Sequence, residues 1–292
     1  MTPWTDRSGQ FSALKSLTFV GLFLPAMWIA WSFWSGGLGA RPIMAAIHET
    51  GDWTVRFLLL SLAVTPLRRI GKWPRLVLVR RMIGLAAMAY ALLHLMLYAA
   101  ELKFDIPRVA SEIVLRIYLT IGFVALVGLA LLGATSTDRA VRRLGRNWGR
   151  LHRAVYGIGV LALLHFFMQS KLDVTQATLM TGLFYLAVGY RVADWRGFRS
   201  TLPVLAVVAV GAAMATALTE VGWFAAATGV DPVLILAANL DFSYSVRPVW
   251  WVLGAGTLIA LVPLLRRRDA ETPVRRRRPP GLVAGGPADE HG

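Results

Sequence analysis

Eight long apolar blocks set the limits on what this chain can become: residues 17–34, 55–67, 82–100, 117–134, 151–168, 175–192, 202–218 and 249–265. They run on without the polar interruptions of a half-exposed helix or strand. Such segments belong in hydrocarbon, where a helix pairs every backbone group within itself. Most are long enough to cross about 30 Å of lipid with modest tilt. The fold class expected is therefore an all-α polytopic membrane protein. The second block is short and carries Arg56, which is expected to snorkel at its outer end, with the helix beginning upstream near Ile47. The first block follows Lys15 and contains Trp28, Trp31 and Trp34. At 18 residues it is longer than a usual signal core and is read as a retained helix.

The net charge of +15 invites a nucleic-acid reading, and its distribution removes most of that case. With the N-terminus inside, 24 of the 31 Lys and Arg fall on inner segments. This asymmetry predicts eight spans in a bacterial inner membrane with both termini cytoplasmic, the lipid bilayer as partner and no nucleic acid. There are no cysteines. Disulfides, iron–sulfur clusters and thioether-linked haem are thereby excluded, and any iron falls to His, Met, Tyr or carboxylates.

His94 lies 13 residues in from Arg81, and His165 lies 12 in from Arg153. Both are then roughly 18–20 Å from the inner surface. Their helices run the same way, so equal counts mean equal depth. Two imidazoles at one height on two helices are what a bis-histidine haem requires, and ionisable residues so deep are functional candidates by default. His152 lies 13 residues before His165, at the inner end of the same block. That spacing suits stacked haems, yet it turns the two side chains about 140° apart on a regular helix. Gly157 and Gly159 allow irregularity between them. A partner for His152 falls near Arg80, which cannot ligate iron and suits a haem propionate or a flavin phosphate. The inner site is thus either a haem with an unusual second ligand or a site for another cofactor. His48 should lie at the outer surface, lining an electron exit or capping a helix. Arg68, Arg69, Arg80 and Arg81 gather at the cytoplasmic face, either as topology signals or as a docking surface for an anionic cofactor or an acidic reductase.

The strings HETGDWTVRFLLLSLAVTPLRR (48–69), LVRRMIGLAAMAYALLHLMLY (78–98), RIYLTIGFVAL (116–126) and ATSTDRAVRRLGRNWGRLHRAVYGIGVLALLHFFMQSK (134–171) resemble the MsrQ, or YedZ, family. This is the haem-binding membrane subunit of the methionine sulfoxide reductase system, within the ferric reductase-like transmembrane superfamily. The resemblance implies a six-helix core holding haem b, with FMN associated. It implies a donor that is quinone or a cytosolic flavin reductase, and a periplasmic molybdopterin reductase of the MsrP type as acceptor. Carried over by motif, His94 and His165 would ligate the upper haem and His152 would belong to the inner site. Arg80 stands where oxidases of the superfamily have a further histidine.

The chain departs from that pattern by continuing past the sixth span. The expected organisation is a cytoplasmic segment at 1–16, the haem-binding domain at 17–199, two extra transmembrane helices with an outer loop at 200–265, and a disordered basic tail at 266–292. The function expected is electron transfer across the membrane. Rival readings are a ferric or cupric reductase at the outer face and a proton-coupled transporter. No nucleophile–base pair or carboxylate dyad points to hydrolysis.

Overall fold

The computed structural model describes residues 4–5, 9–171, 173–243 and 245–271, with backbone alone for 266–271. Of the tail expected at 266–292, residues 266–271 continue the last helix and 272–292 lie outside the described residues. Regular structure is helical throughout: α1 (Ala13–Trp34), α2 (Pro42–Ile70), α3 (Val77–Glu101), α4 (Ile106–Leu115), α5 (Ile117–Ala134), α6 (Asp138–Leu144), α7 (Arg146–His152), α8 (Val155–Ser170), α9 (Thr175–Trp195), α10 (Leu202–Thr228), α11 (Pro232–Ala238) and α12 (Pro248–Glu271). The chain is an all-α polytopic membrane protein.

Among the described residues six segments are long and apolar enough to cross a bilayer on their own: α1, α3 with the turn before it, α5, α7 with α8, α10 and α12. Helices α2 and α9 are long enough, at 29 and 21 residues, but carry more polar groups. They also bury Thr50, Ser61, Thr178 and Thr181 among their neighbours. A helix enclosed by other helices has no need of an apolar surface all round, and Thr50 and Thr181 donate to carbonyls one turn back in their own helices.

Three local features differ from expectation. First, α2 starts at Pro42, a favoured first helical residue. This places Arg56 in mid-helix, where it does not snorkel: it lies 3.5 Å from Asp52 and over the Trp53 ring. Second, α4 is a short amphipathic helix capped by Asp105, which accepts from the Arg108 N–H. Third, the fifth block is broken at Arg153–Ala154, between α7 and α8. There the N–H groups of Arg153, Ala154 and Tyr156 reach back three residues instead of four.

Helix α2 packs most extensively on α3, α5 on α8, and α10 on α12, with α9 joining α2 and α8 to α10 and α12. One core gathers Leu22, Phe57, Val79, Tyr90, Leu129 and Ile158 from α1, α2, α3, α5 and α8. Tyr90 fixes α1 to it by entering the α1 ladder beside Pro25: its hydroxyl donates to the Leu22 carbonyl and accepts from the Ala26 N–H, both at 2.9 Å. A second core gathers Leu186, Leu205, Ala209, Val252 and Ala260 from α9, α10 and α12. Ion pairs tie the helix ends together. Arg41 meets Glu101 at one end of the bundle; Arg81 meets Asp138 and Arg69 meets Asp194 at the other, which also holds most of the loop arginines. The latter is called the basic end below.

Candidate functional site

His94 on α3 and His165 on α8 meet inside the bundle. Their ring centroids are 6.3 Å apart and the planes are nearly perpendicular. Each ring is held in the same way. His94 Nδ1 lies 2.8 Å from the Ile47 carbonyl of α2, and His165 Nδ1 lies 2.8 Å from the Tyr118 carbonyl of α5. The partners are 47 residues apart in sequence in both cases. Only an N–H can donate to a carbonyl, so each bond assigns the proton to Nδ1 and leaves the Nε2 lone pair free. A metal-binding histidine is usually held in this way, its other ring nitrogen bonded so that tautomer and ring orientation are set together.

Glycine makes each bond possible. Four residues past each carbonyl, on the same face of its helix, stand Gly51 and Gly122. A Cβ at Gly51 would lie 3.1 Å from His94 Nδ1, and one at Gly122 would lie 2.7 Å from His165 Nδ1. A side chain at Gly122 would push its imidazole off the carbonyl, and one at Gly51 would force a shift of a few tenths of an ångström. Helix pairs α2–α3 and α5–α8 therefore repeat one device: carbonyl, glycine, then histidine on the partner helix.

The ring separation fits a shared iron. Imidazole–metal bonds are about 2 Å, and a ring centre lies roughly 1 Å behind its nitrogen. Two rings gripping one ion end-on are then about 6 Å apart. Among the described residues no group of three or more His, Asp or Glu could hold a bare metal ion. Two imidazoles suffice for haem, because the porphyrin supplies the other four nitrogens.

His152 stands apart from this pair. Its ring stacks on Trp148 with centroids 4.0 Å apart, and its Nε2 lies 3.2 Å from the Thr135 hydroxyl. Trp148 in turn donates to the Thr135 carbonyl at 2.9 Å. The helix between His152 and His165 is irregular, but at Arg153–Ala154 instead of at Gly157 or Gly159. By the same repeat, the residue 13 before His94 is Arg81, so α3 offers no second imidazole at that level.

The four arginines singled out from the sequence divide into two kinds. Arg69 pairs with Asp194, and Arg81 pairs with Asp138 at 2.6 Å. The hydrogen bond from Arg81 holds the Asp138 carboxyl below the usual carboxylate range. Arg68 and Arg80 form no ion pair among the described residues, and Arg80 lies within electrostatic reach of Arg191 and Arg68. Arg191, from α9, donates to the Leu62 carbonyl at 3.3 Å and lies over the Tyr156 ring. Unpaired guanidinium groups brought together from three helices repel one another and favour an anion between them. His152 adjoins this cluster through Arg80. His48 is exposed on the second turn of α2. It caps nothing, since the N-cap is Arg41. It follows Ile47, whose carbonyl holds His94.

The family model for ferric reductase like transmembrane component matches residues 50–163, from just before Gly51 to just short of His165. The chain is 41% identical over 187 residues to the protein-methionine-sulfoxide reductase heme-binding subunit MsrQ of Xanthomonas euvesicatoria pv. vesicatoria (strain 85-10), covering 62% of this chain and 86% of that one. It is 41% identical over 184 residues to the protein of the same name from Polaromonas naphthalenivorans (strain CJ2), covering 62% and 84%. No solved structure matches.

Proposed function

Because the chain belongs to the MsrQ family of heme-binding subunits of protein-methionine-sulfoxide reductases, we propose that it carries electrons across the membrane for methionine sulfoxide reduction, with His94 and His165 as the axial ligands of a b-type haem. The observation that carries this reading is the pair of imidazoles 6.3 Å apart, each with Nδ1 committed to a backbone carbonyl. Bound haem supplies a one-electron iron couple, and the protein sets its ligands, depth and dielectric. The Ile47 and Tyr118 carbonyls keep both rings in the ligating tautomer. Gly51 and Gly122 leave them room.

The unpaired cluster of Arg68, Arg80 and Arg191, with His152 beside it, supports a second, anionic group at the basic end. A haem propionate or the phosphate of FMN has that chemistry. By the loop-charge rule the basic end is cytoplasmic, both termini lie there, and the membrane is the bacterial inner membrane. The donor is then quinone or a cytosolic flavin reductase. The acceptor is a periplasmic molybdopterin reductase of the MsrP type, docked at the end where His48 is exposed. The haem-binding unit is 17–199, and 200–265 is an addition to it.

Proteoliposomes with reductant at the basic end and the reductase with oxidised protein at the other test this. Methionine sulfoxide should be reduced, and His94→Ala should lower the rate at least tenfold. Equal rates in parent and variant would contradict the proposal. Ferric reduction without any added reductase would assign the chain to the metalloreductases instead.

A further inference from the structure

Two clefts run into each other beside the loop that joins α9 to α10 at the basic end. The first is lined by Thr65, Arg69, Tyr190, Arg191, Asp194 and Ser200, among others. The second lies between the two helices, and its walls are Val192, Pro203, Val207 and Val208 with the stem of Arg196. Ala193, Phe198 and Val204 line both. The groove closes at Gly189, where even a Cβ would lie 2.8 Å from Val208 Cγ1. Polar groups thus stand at the level of the loop, and an apolar channel leads from them into the membrane-spanning part.

The double cleft carries excess positive charge, with Arg191 in the polar part and Arg196 exposed where its stem lines the apolar one. Arg69 is balanced by Asp194. Arg191 and Arg196 have no carboxylate partner among the described residues. The Nε of Arg191 is also buried without an acceptor. A neutral amphiphile would fill the groove and leave that charge unanswered. An acidic one satisfies both ends, and anionic headgroups sit at this height in a bilayer.

We propose that the double cleft binds one anionic phospholipid, its headgroup against Arg191 and Arg196 and one acyl chain along Val204, Val207 and Val208. The lipid would tie α10 to α9 and the end of α2. This inference does not rest on the His94–His165 pair, and it gives Arg191 to the lipid headgroup in place of the anionic group considered beside Arg68 and Arg80.

The full chain, in nanodiscs of equal parts dioleoyl phosphatidylglycerol and dioleoyl phosphatidylcholine, is released into a native mass spectrometer. Phosphatidylglycerol should be retained at least fivefold over phosphatidylcholine. Arg196→Gln should bring that ratio close to one. Val207→Trp, which fills the groove, should reduce retention of both lipids, with circular dichroism showing that each variant keeps its helices. Equal retention of the two lipids by the parent, or an unchanged ratio in Arg196→Gln, would overturn the proposal. So would displacement of the lipid by inorganic phosphate, the mark of a plain anion site, or by decylubiquinone, the mark of a quinone site.

Discussion

In the half of the bundle made by α2, α3, α5 and α8, two glycines face imidazoles; in the half made by α9, α10 and α12, they face other helices. Gly51 and Gly122 open space for His94 and His165. Gly256 instead lets α12 touch α10, since a Cβ there would lie 2.5 Å from the Cβ of Ala209. Gly182 does the same for α9 against Thr216 and Val252. Close backbone approach through small residues is a common means of helix association in lipid, where apolar burial gives no driving force. The first half also packs helix on helix through glycine, Gly128 against Ile158 and Gly133 against Met88, but among the described residues it alone sets glycines against imidazoles. The second half also buries an ion pair, Glu220 with Arg247 at 3.2 Å, which fixes the loop before α12 to the end of α10.

The contrast can be broken most severely at Gly122. Gly122→Val should move His165 off the Tyr118 carbonyl and lower haem occupancy at least tenfold, read by pyridine haemochrome. Full occupancy would show that the glycine serves packing alone. Glu220→Ala should leave haem content unchanged and destabilise the protein by about 3 kcal/mol, because it strands Arg247 in a largely buried setting. A thermal melt followed at the haem band and by circular dichroism separates the two effects. Gly256→Ala should cost about 1–3 kcal/mol by overpacking, again with haem retained. Loss of haem in either extension variant would erase the distinction between the halves.

The smallest effect concerns acid. The folded Asp138 carboxyl titrates below its usual value of 3.8 because Arg81 bonds it. Its contribution to stability is therefore complete above that value and disappears as the pH falls through the lower, folded one. Both side chains are largely exposed, so Asp138→Asn should remove only a slight acid dependence of the melting temperature. A large change would mean that this pair holds the basic end together.

The blocks gave the spans best where lipid alone dictates them. Block 117–134 coincides with α5, because its flanks are Arg116 and Thr135 and no charge interrupts it. The apolar block covers less than half of α2 because His48, Glu49, Asp52 and Arg56 break its hydropathy, and the start expected near Ile47 falls one turn short of Pro42; the helix is enclosed by neighbours and pairs two of those charges. Helix α4 was missed because ten amphipathic residues look like a loop to a search for spans. At the site, counting depth was enough to pair His94 with His165. The carbonyls that orient them carry no side-chain signature. Gly51 and Gly122, each 43 residues before its histidine, were visible as a repeat. The charge count also ranked Arg68, Arg69, Arg80 and Arg81 as equals, since it says nothing of which carboxylate each one meets.

The most direct measurement is the visible spectrum of the purified chain and of His94→Ala and His165→Ala, each expressed with ample iron and porphyrin precursor and shown to be helical and monodisperse. A low-spin b-type spectrum in the parent, lost in both variants, is the expected result. A parent without haem, or a variant with the parent's spectrum, would contradict the shared iron.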